Sequence, residues 1–217
     1  GPTADALAES ALRQAEMLED MNFRDIVISI KSSRVDTMIQ ACRAVAAQSD
    51  YPLHLGVTEA GTQYSGIVKN AMGIGALLCD GIGDTIRVTL TADPAAEIEA
   101  AKEILAAAGV RKAGITVISC PTCGRTKIDL ISLAEAYKKA VANLDTGDKT
   151  ITAAIMGCAV NGPGEAREAD FGVAGGDGCA VLFRKGEQIC RIDEERLLEV
   201  LLEETRRMLE DKSKAKL

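Results

Sequence analysis

The sequence predicts an α/β chain in two parts: repeated βα units over residues 1–112, then a mixed α+β segment over 113–217. Three observations lead there. Short apolar, β-branched runs recur roughly every 30 residues, the length of one βα unit. Amphipathic stretches with helical periodicity lie between them. After residue 112 that alternation stops, and a hairpin signal and a glycine-rich loop follow two further strand candidates.

The first part reads in order as follows. Amphipathic stretches near 4–20, 34–48, 64–80 and 94–108 predict four helices. Asp93-Pro94 opens the last one as an N-cap followed by proline at the first helical position, and Gly109 closes it as a left-handed cap. The strand candidates are Asp25–Lys31, Pro52–Thr58 and Asp84–Leu90. Their continuous apolar character predicts burial on both faces of a parallel sheet with right-handed crossovers. Three units suit either a doubly wound sheet or an arc of a barrel. A closed (β/α)8 barrel needs about 250 residues.

In the second part, Gly114–Ser119 predicts a strand running into Cys120-Pro121-Thr122-Cys123-Gly124-Arg125. A helix is expected over Asp129–Asn143, and a strand over Thr150–Met156 that ends at Gly157-Cys158. The loop Asn161-Gly162-Pro163-Gly164-Glu165 follows. Gly178–Phe183 and Gln188–Ile192 flank Lys185-Gly186 as a hairpin. Asp193 is expected to cap a last helix with Leu197, Val200, Leu201 and Met208 on one face, and the tail from Asp211 is expected to fray.

Composition narrows the class of function. The 217 residues are 47% hydrophobic and 26% charged, as in an ordinary globular protein. A net charge of −7 and 3% aromatic residues argue against nucleic acid, which demands a basic face or stacking platforms. No apolar run is long enough to span a membrane, and no signal peptide precedes the first helix. The absence of an initiating Met at Gly1 suggests a tag scar or a cut chain. Seven cysteines, an odd number, fit a reducing cytoplasmic setting better than a disulfide framework.

Clustered cysteines carry the chemistry. Cys120 and Cys123 lie at a strand end, in a turn whose amides face the sulfurs, and Cys158 ends a second strand before glycines that let backbone approach a bulky anionic group. By spacing alone this pattern is open among zinc, an iron–sulfur cluster and dithiol redox chemistry. The single histidine, His54, lies in the other part, inside an apolar strand that suggests a core position. Cys179 and Cys190 are possible fourth thiolates, but with Cys42 and Cys79 they read as packing residues. Glu165 offers an exchangeable carboxylate, which would leave one metal position available to substrate oxygen. Arg125 and Arg167 flank the motifs and could meet a negative substrate or an electron donor. Gly73-Ile74-Gly75 and Gly81-Ile82-Gly83 lack the strand–turn–helix order of a nucleotide loop.

Longer motifs are more specific. Cys120-Pro-Thr-Cys123-Gly-Arg, then Met156-Gly-Cys158-Ala-Val-Asn161-Gly-Pro-Gly-Glu165-Ala-Arg-Glu-Ala-Asp170, resemble the 4-hydroxy-3-methylbut-2-enyl diphosphate synthase family. The resemblance extends through His54-Leu-Gly-Val-Thr-Glu59-Ala-Gly and Gly83-Asp-Thr-Ile-Arg87-Val. It implies the last three βα units of a TIM-type barrel over 1–112 and an α+β, sulfite-reductase-like iron–sulfur domain over 113–217. About five earlier βα units of the family would be absent, leaving an open sheet edge.

The resemblance further implies a [4Fe–4S] cluster on Cys120, Cys123 and Cys158, with Glu165 as the non-cysteine ligand. The implied reaction is the reductive ring opening and dehydration of 2-C-methyl-D-erythritol 2,4-cyclodiphosphate in isoprenoid synthesis. Lys31 and Thr89, a hydroxyl where the family commonly has serine, would contact the diphosphate. Glu59 would sit near the reacting hydroxyl, and Glu165 would yield its place to substrate. The implied partners are a ferredoxin- or flavodoxin-type donor and a second copy of the chain in a homodimer. Alone, the chain would bind a cluster with little turnover. An electron-transfer module and a zinc-stabilised binding domain are the rival readings.

Overall fold

A computed structural model describes residues 2–111, 114–147, 149–160, 164 and 166–214, with side chains described as far as 210. The chain forms two compact units, residues 1–111 and 112–217.

In the first unit the helices are α1 (Ala4–Asp20), α2 (Val35–Ala46), α3 (Gln63–Cys79) and α4 (Pro94–Ala107). Each sits where apolar periodicity puts it. The Thr3 hydroxyl accepts the Ala6 amide at the start of α1, and the Asp93 carboxylate accepts the Ala95 amide at 2.8 Å at the start of α4. Gly109 takes the left-handed conformation that ends α4, with φ 70°. The helices bury Met38, Ala41, Val45, Ile74 and Leu77 against Ile28, Ile30, Leu53, Leu55 and Val57. Each such side chain contributes about 1.5–3 kcal/mol through loss of apolar surface from water.

The strands differ from expectation in two ways. First, they are short: β1 is His54–Leu55, β2 is Thr85–Ile86, paired in parallel, and Asp25–Lys31 contributes one parallel bridge from Ile28 to Leu53. Side chains occupy backbone groups along this ladder. The Ser29 hydroxyl donates to the His54 carbonyl, Asp84 accepts the Leu53 amide, and the Thr89 hydroxyl donates to the Val57 carbonyl. Second, only one face is buried. Val27 (60% exposed), Ser29, Thr85 and Arg87 face solvent, so these are half-buried strands whose polar positions alternate with the core.

The second unit holds a five-stranded mixed sheet in the order β3-β4-β5-β6-β7. Its strands are β3 (Ile115–Ser119), β4 (Ile151–Met156), β5 (Phe171–Gly175), β6 (Cys179–Arg184) and β7 (Glu187–Asp193). β3, β4 and β5 run parallel, and β6 and β7 return antiparallel. Helices α5 (Leu130–Val141) and α6 (Leu197–Lys214) pack on the sheet through Tyr137, Ile151, Ile155, Phe171, Val173, Leu197 and Leu201. A smaller cluster of Ala154, Met156, Ala166, Ala169, Ala174 and Phe183 forms apart from it. The Tyr137 hydroxyl meets that of Thr205 at 2.6 Å, so the buried polar groups joining α5 and α6 satisfy each other.

Lys185 and Gly186 both have positive φ, 48° and 80°, the type I′ geometry expected of the hairpin. β5 was not expected, because Phe171-Gly172-Val173-Ala174-Gly175 carries two glycines in five residues. Gly172 is required there: a Cβ would lie 2.3 Å from the Ala154 carbonyl oxygen. Asp193 does not cap the last helix. Its side chain makes no capping bond, and a single 3-10 turn, Glu194–Arg196, intervenes before α6.

Candidate functional site

Parallel pairing of β3 and β4 matches Ser119 with Ile155, so Cys120 and the Gly157-Cys158 peptide emerge side by side at one end of the sheet. The Cys120 sulfur accepts a hydrogen bond from the Gly157 amide at 3.2 Å. Cys158 is buried, at 9% exposure, and Cys123 is exposed in the turn that follows Cys120. That turn is closed by the Thr126 amide donating to the Cys123 carbonyl at 3.0 Å, while the Thr126 hydroxyl accepts the Cys123 amide at 3.1 Å. Next along, the Lys127 amide donates to the Gly157 carbonyl at 2.8 Å. Two cysteine-bearing segments are thus tied together by backbone.

All three thiols are free of disulfides. Among the described residues, no three His, Cys, Asp or Glu side chains are positioned together to hold a metal ion. Glu165 and Asn161–Pro163 lie outside the described residues. Cys179 starts β6, whereas Cys79 and Cys190 are exposed rather than packed as expected; of these four only Cys42 is buried, its thiol pKa pushed up to about 11 by burial. Arg125 is exposed, and the stem of Arg167 lies against Gly186 of the hairpin turn.

The other expected residues lie in the first unit. Lys31 is half-buried, its ammonium bonded to the Ser29 hydroxyl. Burial, and next the charge of Arg87, hold that ammonium below the usual lysine range. His54 is not a core residue: it is only partly covered, and its Nδ1 meets the Thr85 hydroxyl at 2.8 Å. Burial, then Lys31, then Arg87 hold its imidazole below the ordinary value. Gly56 lies between the two cations. A Cβ there would stand 3.6 Å from both the Lys31 Cε and the Arg87 Cβ, and 2.9 Å from the Arg87 carbonyl oxygen. Lys31, His54 and Arg87 therefore form one basic group on the exposed face of the strands.

Arg87 is the functional candidate that sequence reasoning passed over. Its signal was available in the strand alternation, since the pairing of His54 with Thr85 puts residues 54, 85 and 87 on one face. Thr89 ends the third run with its hydroxyl on the Val57 carbonyl at 2.9 Å and its own carbonyl held by the Asn70 amide at 3.2 Å. Glu59 is exposed, on a left-handed backbone with φ 53° just beyond β1.

Comparison with known proteins gives this geometry a context. The GcpE TIM-barrel domain matches residues 1–102, and the GcpE protein C-terminal domain matches residues 116–207. The chain belongs to the GcpE family. Its curated relatives include the 4-hydroxy-3-methylbut-2-en-1-yl diphosphate synthase (flavodoxin) of Clostridium perfringens, 57% identical over 201 residues, which cover 93% of this chain and 57% of the relative. That of Clostridium tetani is 56% identical, covering 94% and 58% respectively. That of Fusobacterium nucleatum is 53% identical, covering 97% and 59%. This GcpE-family chain thus spans less than two thirds of the length of the relatives it matches, and the cysteine and glycine motifs fall within the shared part. Among the described residues no helix is long and apolar enough to cross a membrane.

Proposed function

We propose that the protein belongs to the reaction for which its relatives are named: two-electron, two-proton ring opening of 2-C-methyl-D-erythritol 2,4-cyclodiphosphate to 4-hydroxy-3-methylbut-2-enyl diphosphate and water. In this reading residues 1–112 are three βα units of a barrel on the substrate side, and 113–217 a sulfite-reductase-like cluster domain. Cys120, Cys123, Cys158 and Glu165 would hold a [4Fe–4S] cluster. The observation that carries this is the Gly157 amide on the Cys120 sulfur, which joins two cysteine-bearing strand ends. Soft thiolates with no histidine in their unit suit iron–sulfur chemistry better than a closed zinc site.

When bound, such a cluster supplies low-potential electrons and a Lewis-acidic iron at the departing oxygen. The chain's own residues do the rest. Lys31 and Arg87 offer positive charge to a diphosphate, and Thr89 an O–H that would turn from the Val57 carbonyl to donate to a phosphate oxygen. The like-charge penalty among Lys31, His54 and Arg87 is relieved once an anion binds. Glu59, exposed beyond the end of β1, would manage the proton of the reacting hydroxyl. The electron donor would be a flavodoxin- or ferredoxin-type protein, the setting cytoplasmic and the assembly a homodimer. Because a diphosphate calls for more positive charge than this face presents, the chain alone would load a cluster with little turnover.

The test is anaerobic reconstitution followed by reduction and addition of the cyclic diphosphate. A substrate-dependent change in the EPR signal of the reduced protein supports the proposal. A protein that takes up zinc but no iron, or a reduced signal indifferent to substrate, refutes it in favour of a zinc-stabilised module or an electron relay respectively.

A further inference from the structure

The turn after Cys120 is held from a direction that neither the cysteine spacing nor the proposed reaction explains. Thr126 closes that turn twice, accepting the Cys123 amide on its hydroxyl at 3.1 Å and donating its own amide to the Cys123 carbonyl at 3.0 Å. The same side chain is pressed onto Gly157, 31 residues later. A Cβ on Gly157 would lie 2.9 Å from both the Thr126 hydroxyl oxygen and its methyl, closer than atoms can approach. Gly157 is engaged on its other sides too. Its amide donates to the Cys120 sulfur at 3.2 Å, its carbonyl accepts the Lys127 amide at 2.8 Å, and its neighbour is Cys158. One half-buried threonine therefore touches the turn carrying Cys123 and the residue that links Cys120 to Cys158.

We propose that Thr126 is a positioning residue that sets the Cys123 thiol relative to Cys120 and Cys158, through its hydroxyl on the Cys123 amide and its contact with Gly157. The inference rests on the reading of these cysteines as joint ligands. Its physical basis is that Cys123 is exposed in a turn, where the thiol shifts with its backbone unless that backbone is fixed. The Thr126 hydroxyl fixes that backbone, and Gly157, having no side chain, lets Thr126 close the distance to the neighbouring strand end.

The two halves of the threonine side chain can be tested apart. Thr126→Val keeps the shape and loses the hydroxyl; Thr126→Ser keeps the hydroxyl and loses the methyl. Wild type and both variants are reconstituted anaerobically with iron and sulfide. Iron loss to a chelator and the EPR spectrum of the reduced protein are then measured, with thermal unfolding of the cluster-free proteins as the control for folding. The expected result is iron loss about tenfold faster in Thr126→Val, the range typical of partners that orient metal ligands. Its EPR spectrum should also be altered, Thr126→Ser should stay within about twofold of wild type, and the cluster-free proteins should unfold alike. If Val prevents folding, Thr126→Ala is compared with Ser in the same way. Iron retention and EPR unchanged in Val, or Ser as impaired as Val, would overturn the role given to the hydroxyl. A wild-type protein that takes up no iron–sulfur cluster would instead overturn the cluster reading itself, and the two failures are told apart by the wild-type sample alone.

Discussion

The two units solve the same problem, placing polar chemistry at the ends of strands, by different means. In residues 112–217 the sheet has five paired strands, and a backbone amide donates each tie at the cysteine-bearing ends: Gly157 to the Cys120 sulfur, Lys127 to the Gly157 carbonyl, Thr126 to the Cys123 carbonyl. In residues 1–111 the strand pairing is brief, and side chains hold the strand ends: Ser29 to His54, Asp84 to Leu53, Thr89 to Val57. Amide ties favour rigid strand ends. Side-chain ties leave an exposed charged face.

The comparison breaks most readily through the core of the second unit. Phe171, fully buried in β5, should cost about 3–5 kcal/mol on replacement by Ala, against less than about 0.5 kcal/mol for Val27→Ala on the open face of the first unit. Chemical denaturation followed by far-UV circular dichroism reads both. Equal effects would mean the two sheets are not differently built.

A smaller loss is expected at Glu204, which receives Arg184 at 2.7 and 2.8 Å and Arg207 at 2.9 Å. Burial alone would raise its pKa, but the two arginines outweigh it and hold the carboxylate below the usual range. Glu204→Ala should cost about 1–3 kcal/mol, since it leaves two partly exposed cations facing each other. The pH dependence has a definite sign. A lowered carboxylate contributes stability above its unfolded value near 4.5 and loses it as pH falls through the lower folded value. Acid unfolding in that window should therefore flatten in Glu204→Ala.

The smallest effect sharpens the account of the first unit. The lowered His54 pKa means the folded state binds its proton less readily than the unfolded chain. Its contribution to stability is complete above 6.5 and declines as pH falls towards the folded value. Because the chain has 1 histidine, its imidazole can be titrated by NMR without overlap. Inorganic diphosphate should raise that pKa measurably by neutralising Lys31 and Arg87. No movement would remove the basic group from any role in anion binding.

Much of this was legible in the sequence, for reasons that also explain what was not. Helices α1 to α5 announce themselves through apolar periodicity and local caps such as Asp93, and a type I′ turn at Lys185-Gly186 needs only adjacent residues. The neighbouring placement of Cys120 and Cys158 was legible because both follow strand candidates that pair in parallel. β5 was hidden because Gly172 serves a close approach to Ala154, a contact set by tertiary structure rather than by propensity. Thr126 was hidden for the same reason, its significance lying in a glycine distant along the chain. Arg87 was passed over because its strand was judged buried on both faces, an inference its exposed alternate positions correct. Asp193 has the composition of a cap but precedes a 3-10 turn that changes its geometry.

The most direct test of the central claim is the iron and acid-labile sulfide content of anaerobically reconstituted protein, measured with its visible absorption, for wild type and for Cys158→Ser. About four irons and four sulfides per chain with a broad brown absorption in wild type, falling to near zero in the variant, is the predicted result. Equal cluster content in the two proteins would contradict it, because the strand end carrying Cys158 would then have no part in holding the metal.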